Sequence, residues 1–341
     1  SMGFLWSAAE DPRAGIRTVA AAVLANHKDE KSLSYLRALV RDPDKGVEAS
    51  AVLAVCAAGM VEFKEEILLR ARVGDRMVRI AALRGLASMP GPDTQAVLRQ
   101  AVLEQDAGLR VAAVESLATL ADPSSATLLA SMFAAGPTSP LFQPAKRGLR
   151  SIGEPAWNDL LGLARSRTNQ ANREAALLLA DQSVLDVTTI LITMLSDNPK
   201  DTELMDELTV LTCVDYSGEP NPPGAWWAWW DRVDGSGPFQ WFCGALAAAE
   251  LSIHGSADTL GGDGTLQGGL GLLTIIRGET GAASFLVERS RRELSRLLGR
   301  DVGPFPPRGR ALESWCAQLE LSLGEHYAAL EAANSAPAGD L

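Results

Sequence analysis

The stretch MVRIAALRGLA (77–87) recurs in register as GLRVAAVESLA (108–118), GVEASAVLAVC (46–56) and GIRTVAAAVLA (15–25). An apolar residue opens each copy at Ile16, Val47, Val78 and Leu109, a constant spacing of 31 residues. An alanine follows four positions later at Ala20, Ala51, Ala82 and Ala113, then an aliphatic residue at Leu24, Val55, Leu86 and Leu117. Steps of four place all three on one stripe of an α-helix. Alanine at the centre of that stripe lets a second helix approach closely. Weaker copies follow at Leu141-Ala145-Leu149, Asn172-Ala176-Ala180 and Leu204-Leu208-Thr212.

Upstream of each stripe lies a second apolar helical segment, such as SLSYLRALV (32–40) and TQAVLRQAVLE (94–104). Turn and cap signals such as DPDKG, PGPD and DPSS separate them. The unit is therefore helix–turn–helix. A single pair leaves apolar faces uncovered, so pairs must stack. The predicted fold is all-α: a right-handed α-solenoid of antiparallel helix pairs with a mostly helical C-terminal extension. Residues 10–212 are expected to hold six or seven repeats of about 31 residues, with Leu24, Leu53, Leu86, Leu117 and Leu149 on the core face. Residues 1–9 read as a scar or leader, and 213–341 as a capping extension with a Gly-rich loop at 255–271.

The pattern resembles the HEAT-repeat (HEAT/armadillo-like) family in its bacterial, PBS-lyase-like form. The residues that carry the likeness are Asp44-x-x-Val47, Asp75-x-x-Val78-Arg79 and Asp106-x-x-Leu109-Arg110. The resemblance implies that Asp44, Asp75 and Asp106 cap the second helices. It further implies that Arg17, Arg79, Arg110 and Arg173 form a ladder, each pairing with an aspartate of a neighbouring repeat. Glu48 and Phe142 stand where an arginine is expected, so the ladder should be interrupted there. An N-cap aspartate is expected on physical grounds as well, because its carboxylate accepts orphan N–H groups.

Composition narrows the function. The net charge is −11 and the pI about 4.9, which argues against a nucleic-acid reader that must neutralise phosphates. No apolar run reaches the roughly 18 residues of a membrane span. Cys56, Cys213, Cys243 and Cys316 are too scattered for a zinc or disulfide framework. Three separated histidines offer little for catalysis, and no nucleophile, metal or phosphate-loop motif occurs. No cofactor is expected. The expected role is a non-catalytic scaffold binding a protein partner through the curved face, with no nucleic-acid partner. DNA-glycosylase-like or bilin-lyase-like activity is the alternative, by fold analogy alone. The chain reads as cytoplasmic, or periplasmic if a leader preceded Ser1-Met2. Neither partner identity nor oligomeric state can be read.

Candidate contact residues on the second helices are Arg17, Arg79, Arg84, Arg110, Glu115, Arg147 and Arg173. A further stripe, Arg289, Arg292, Arg296 and Arg300, shares one face if a helix runs through 285–300. It reads either as a solvated face or as a contact for an acidic partner.

The segment GAWWAWWDRV (224–233) holds four of the eight tryptophans. Trp226, Trp229 and Trp230 share one helical face. They read as a cap that closes the repeat stack, with a ligand platform as the alternative. The surrounding 205–233 resembles a terminal module appended to bacterial HEAT proteins: a Leu-Thr-Gly turn, a proline-rich strap and a Trp-x-x-Trp helix. Cys213 replaces the glycine. A fainter copy runs through 291–319, with Leu298-Gly299 and Trp315 in corresponding places. The Gly-rich 255–271 lacks phosphate-loop spacing and reads as an irregular loop. Its flanks, 242–251 and 270–278, fit either helix or strand.

Overall fold

The computed structural model describes residues 2–233, 235–249, 251, 266–278, 281–307 and 309–335. Every regular element among the described residues is helical. The chain divides into two compact units, residues 1–159 and 160–341.

In the first unit the helices come in antiparallel pairs. First helices are α1 (Met2–Ala9), α3 (Glu30–Leu39), α5 (Lys64–Arg72), α7 (Pro92–Val102) and α9 (Ala126–Phe133). Second helices are α2 (Ala14–Leu24), α4 (Lys45–Ala57), α6 (Arg76–Gly85), α8 (Ala107–Leu120) and α10 (Phe142–Ile152). Each second helix packs on the next, so α2, α4, α6, α8 and α10 form one layer. Small residues set this close approach. A Cβ added at Gly148 of α10 would meet the Ala118 Cα of α8 at 2.9 Å.

The stripe that defines the repeat is the core. Leu24, Leu86, Leu117 and Leu149 are completely buried, as are Ala51, Ala82 and Ala113. Removing each leucine from water contributes roughly 1.5–3 kcal/mol. Leu53 was expected on the same face but is 44% exposed. It lies two residues from both Ala51 and Val55, about 200° around the helix, and Val52 and Val55 fill the core instead. Residues 2–9, expected outside the array, form α1 packed on α2. There Trp6 donates to Ser32 Oγ at 3.4 Å and lies beneath Lys31.

The boundary between the units falls inside α11 (Trp157–Arg165), within the stretch read as repeats. The second unit continues with α12 (Asn172–Asp181), α13 (Thr188–Asp197) and α14 (Thr202–Thr212), then α15 (Pro222–Trp230) and α16 (Pro238–Ala248). It ends with α17 (Leu266–Arg277), α18 (Ser284–Leu297) and α19 (Arg310–Ser335). In this unit α15 covers α13, while α16 and α18 both lie on α14. The C-terminal helices build a core of their own around Phe242, Leu272, Leu273, Ile275, Leu294 and Leu323. The segment 270–278, left open between helix and strand, lies mostly in α17. Residues 255–265 of the Gly-rich segment lie outside the described residues.

Candidate interaction surface

The second helices begin alike. Asp44 accepts from the backbone N–H groups of Gly46 and Val47 at 2.9 and 3.1 Å. Asp75 accepts from Met77 at 2.8 Å and Asp106 from Leu109 at 3.0 Å. Each carboxylate satisfies donors that have no partner within the helix. Asp106 also accepts from Arg76 Nε at 2.6 Å. That hydrogen bond holds its carboxyl down at about 2.

In the first turn of α2, α6 and α12 stands the expected ladder arginine. Arg17 grips Asp42 with two hydrogen bonds of 2.8 and 2.9 Å. Its guanidinium, donating to Asp42, keeps that carboxyl below the usual carboxylate range. Arg79 reaches Glu104, and its Nε donates to the Ala71 carbonyl at 3.1 Å. In the second unit Arg173 takes Asp201 at 2.9 Å and Glu203 at 2.6 Å. These three arginines were expected to face a partner. They are instead spent on ion pairs within the array, because the acid of the following turn lies within reach. The Arg79 acceptor is a glutamate rather than the implied aspartate.

At Glu48 the ladder is reversed rather than interrupted. Glu48 is buried and accepts from Arg70 Nε at 2.6 Å and Lys45 Nζ at 2.8 Å. At Phe142 the rung is apolar, with the ring stacked on Phe133 at a centroid distance of 4.6 Å. Arg110 differs from its counterparts. Its Nε is buried and finds no hydrogen-bond acceptor among the described residues.

Outward-facing positions repeat with the same period. Ala22, Leu53, Arg84 and Glu115 follow at intervals of 31, and Arg147 comes 32 further on. All are exposed except Glu115, which is half-buried. Arg84 and Glu115 face each other at 3.3 Å. Asn26, Ala57, Ser88, Thr119 and Ser151 form a parallel exposed row of mostly small residues.

The stripe on α18 is not a surface. Arg289 is fully buried, donates to Glu293 at 2.8 Å, and has Nε and Nη1 without partners among the described residues. Arg292 is also buried. It donates to both Glu207 oxygens at 2.9 Å and to the Ala180 carbonyl at 3.2 Å. Arg296 is half exposed, paired to Glu293 at 2.8 Å and lying over Phe239, and Arg300, past the end of α18, is exposed and donates to Ser322 Oγ at 2.8 Å. Arg289 and Arg292 are therefore corrected from contact residues to internal clamps. α14 and α16 cover that face, and α14 supplies Glu207. Sequence reasoning missed Arg291, which binds Glu288 at 2.7 Å and approaches Asp181 at 3.5 Å. The acid partners of Arg291 and Arg292 include Asp181 and Glu207, 110 and 85 positions away, separations that carry no local signal.

Of the tryptophans, Trp226 is completely buried, with Tyr216 edge-on at 5.6 Å. Trp229 and Trp230 are only half-buried, a correction to the expected burial of all three. Both turn their faces or edges to Trp241 of α16, at 4.9 and 6.2 Å. One helical face cannot sink every ring in α13, so the last two fill the angle towards α16. In 291–319, the stretch read as a fainter copy, Trp315 is half-buried where Trp226 is fully buried. Gly299 matches Cys213 in left-handed backbone, φ 62° and 58°. Phe305 sits edge-on to Trp315, whose Nε1 donates to the Val302 carbonyl at 3.2 Å.

No cluster of potential metal ligands occurs among the described residues, and no described helix is long and apolar enough to cross a membrane. Residues 65–150, which span α5 to α10, match the family model for HEAT repeats. This stretch is thus a run of HEAT repeats, and the helix pairs around it are of the α-solenoid type. A search of curated proteins finds no match to the chain.

Proposed function

We propose that this chain is a non-catalytic scaffold that binds a protein partner through the exposed rows of its second helices. The observation that carries the reading is the register of Ala22, Leu53, Arg84, Glu115 and Arg147. One outward position per repeat yields a continuous track, charged at Arg84, Glu115 and Arg147 and apolar towards α2 and α4, where Val19 and Leu53 are 63% and 44% exposed. Stacked repeats generally use such extended faces to hold partners. Apolar anchors ringed by polar residues are the usual energetic centre of a protein interface.

The test is affinity capture from the native organism with the parent chain and with a Val19→Glu/Leu53→Glu variant. Both positions are exposed, so the variant is expected to keep its melting temperature. A partner captured by the parent and lost from the variant supports the reading. Equal recovery by both, or recovery of only a small molecule that the chain turns over, overturns it.

A further inference from the structure

The repeats show how one second helix seats on the helix ahead of it. Ser116 of α8 donates from Oγ to the Leu83 carbonyl of α6 at 2.8 Å. A Cβ added at Gly85 of α6 would meet the Cys56 Cβ of α4 at 2.9 Å. Both residues stand seven positions after the apolar residue that opens the repeat, Leu109 and Val78 respectively. One turn earlier on the same ridge are Ala112 and Ala81, which are also buried. This backward ridge is built from small residues pressed against the preceding repeat.

α2 carries the same ridge at Val19 and Val23, three periods of 31 before Ala112 and Ser116. Here it is open. Val19 is 63% exposed, Val23 is half-buried, and Gly15, Ala22 and Asn26 beside them are exposed. On α1, Phe4 is 73% exposed, whereas its counterpart Val97, three periods on, is buried in α7. α1 and α2 hold one charged residue between them, Arg17, which Asp42 already binds. An uncharged face with two large exposed side chains marks an interaction site rather than a solvated surface.

We infer that this end face packs on the same face of a second copy of the chain, giving a head-to-head dimer about a two-fold axis near Val19. Inside the array the ridge is met by another second helix, so the occupant is a helix of the same kind. A head-to-tail contact is closed off, because α14, the last second helix, lies beneath α16 and α18. α2 is also complementary to itself. Gly15 and Val23 lie four positions either side of Val19. An antiparallel α2 pair centred there sets Val23 against the open space at Gly15, where an added Cβ would meet nothing within 4 Å. The lack of charge removes the like-charge repulsion that a two-fold axis imposes on a charged patch. The inference stands apart from the scaffold reading, whose track runs along Leu53 and Arg84 rather than across the end of the stack.

Sedimentation velocity over a rising concentration series tests this on the whole chain. The parent is expected to pass from one copy to two as concentration rises. Val19→Glu should raise the dimer dissociation constant about a hundredfold or more, since the axis sets the two introduced charges together. Val19→Lys alone should do the same, and Phe4→Glu should weaken the dimer about tenfold. Mixing Val19→Glu with Val19→Lys should restore the dimer, which a damaged fold could not do. Leu53→Glu should lose the captured partner yet keep the dimer, so the two readings fail separately. A parent that stays monomeric at every concentration overturns the inference, whatever else binds its end face. A dimer that survives both Val19→Glu and Phe4→Glu, or a mixture of Val19→Glu and Val19→Lys that stays monomeric, overturns it as well.

Discussion

Replacing Arg292 by alanine removes the clamp that ties α18 to two repeat helices. Its guanidinium is 6% exposed, with two 2.9 Å bonds to Glu207 of α14 and one of 3.2 Å to the C-terminal turn of α12. Truncating one partner of a buried ion pair leaves the other charge desolvated and costs about 3–5 kcal/mol. Glu207 retains 22% exposure, so water recovers part of its charge. The lower end, about 3 kcal/mol, is therefore expected. For a unit of this size each kcal/mol moves the melting temperature by about 2–4 °C, giving a drop of about 6–12 °C. The assay is thermal unfolding followed by circular dichroism, with Arg292→Met, Glu207→Met and the double variant completing a cycle. Both charges removed together should cost much less than the sum of the single losses. The clamp also predicts a pH dependence. Burial alone would raise the Glu288 carboxyl, but hydrogen bonds and charge from Arg291 and Arg292 hold it below the usual range. A carboxyl depressed in the folded state stabilises above its unfolded value near 4.3, and the benefit disappears as pH falls through the lower folded value. Arg292→Ala should weaken this acid sensitivity. A variant melting within about 2 °C of the parent, with additive losses in the cycle, refutes the clamp.

Core truncations should separate the two faces of the second helices. Leu86→Ala and Leu117→Ala are expected to lose about 2–5 kcal/mol in urea unfolding, whereas Leu53→Ala stays within about 0.5 kcal/mol. Trp226→Ala should cost about 3–5 kcal/mol, and Trp230→Ala distinctly less because its ring is only half-buried. Burial pushes the thiols of Cys56 and Cys213 up to about 12. Native protein treated with iodoacetamide at pH 8 should therefore be modified first at half-buried Cys243, read by peptide mass spectrometry.

The period of 31 residues determined a great deal by itself. Burial stripes, capping aspartates and helix pairing are local consequences of residues three to eight positions apart, and the chain cannot satisfy them otherwise than by stacking. The aspartates at 44, 75 and 106 were legible because an N-cap depends only on the next three residues. Leu53 was misplaced because a leucine beside a core stripe looks like part of it until the helical phase is applied. The pairing of Arg17 and Arg173 with an aspartate was implied by the family resemblance, but the fate of the other arginines was not legible. Whether Arg79 faces a partner or Glu104 depends on which turn the stacking carries alongside it, and whether Arg292 is a surface charge or a clamp depends on Glu207, 85 positions earlier. Pairing between helices far apart in the chain has no period, so it leaves no mark on the sequence. Only the packing of α14 against α18 decided that Arg292 is spent within the fold.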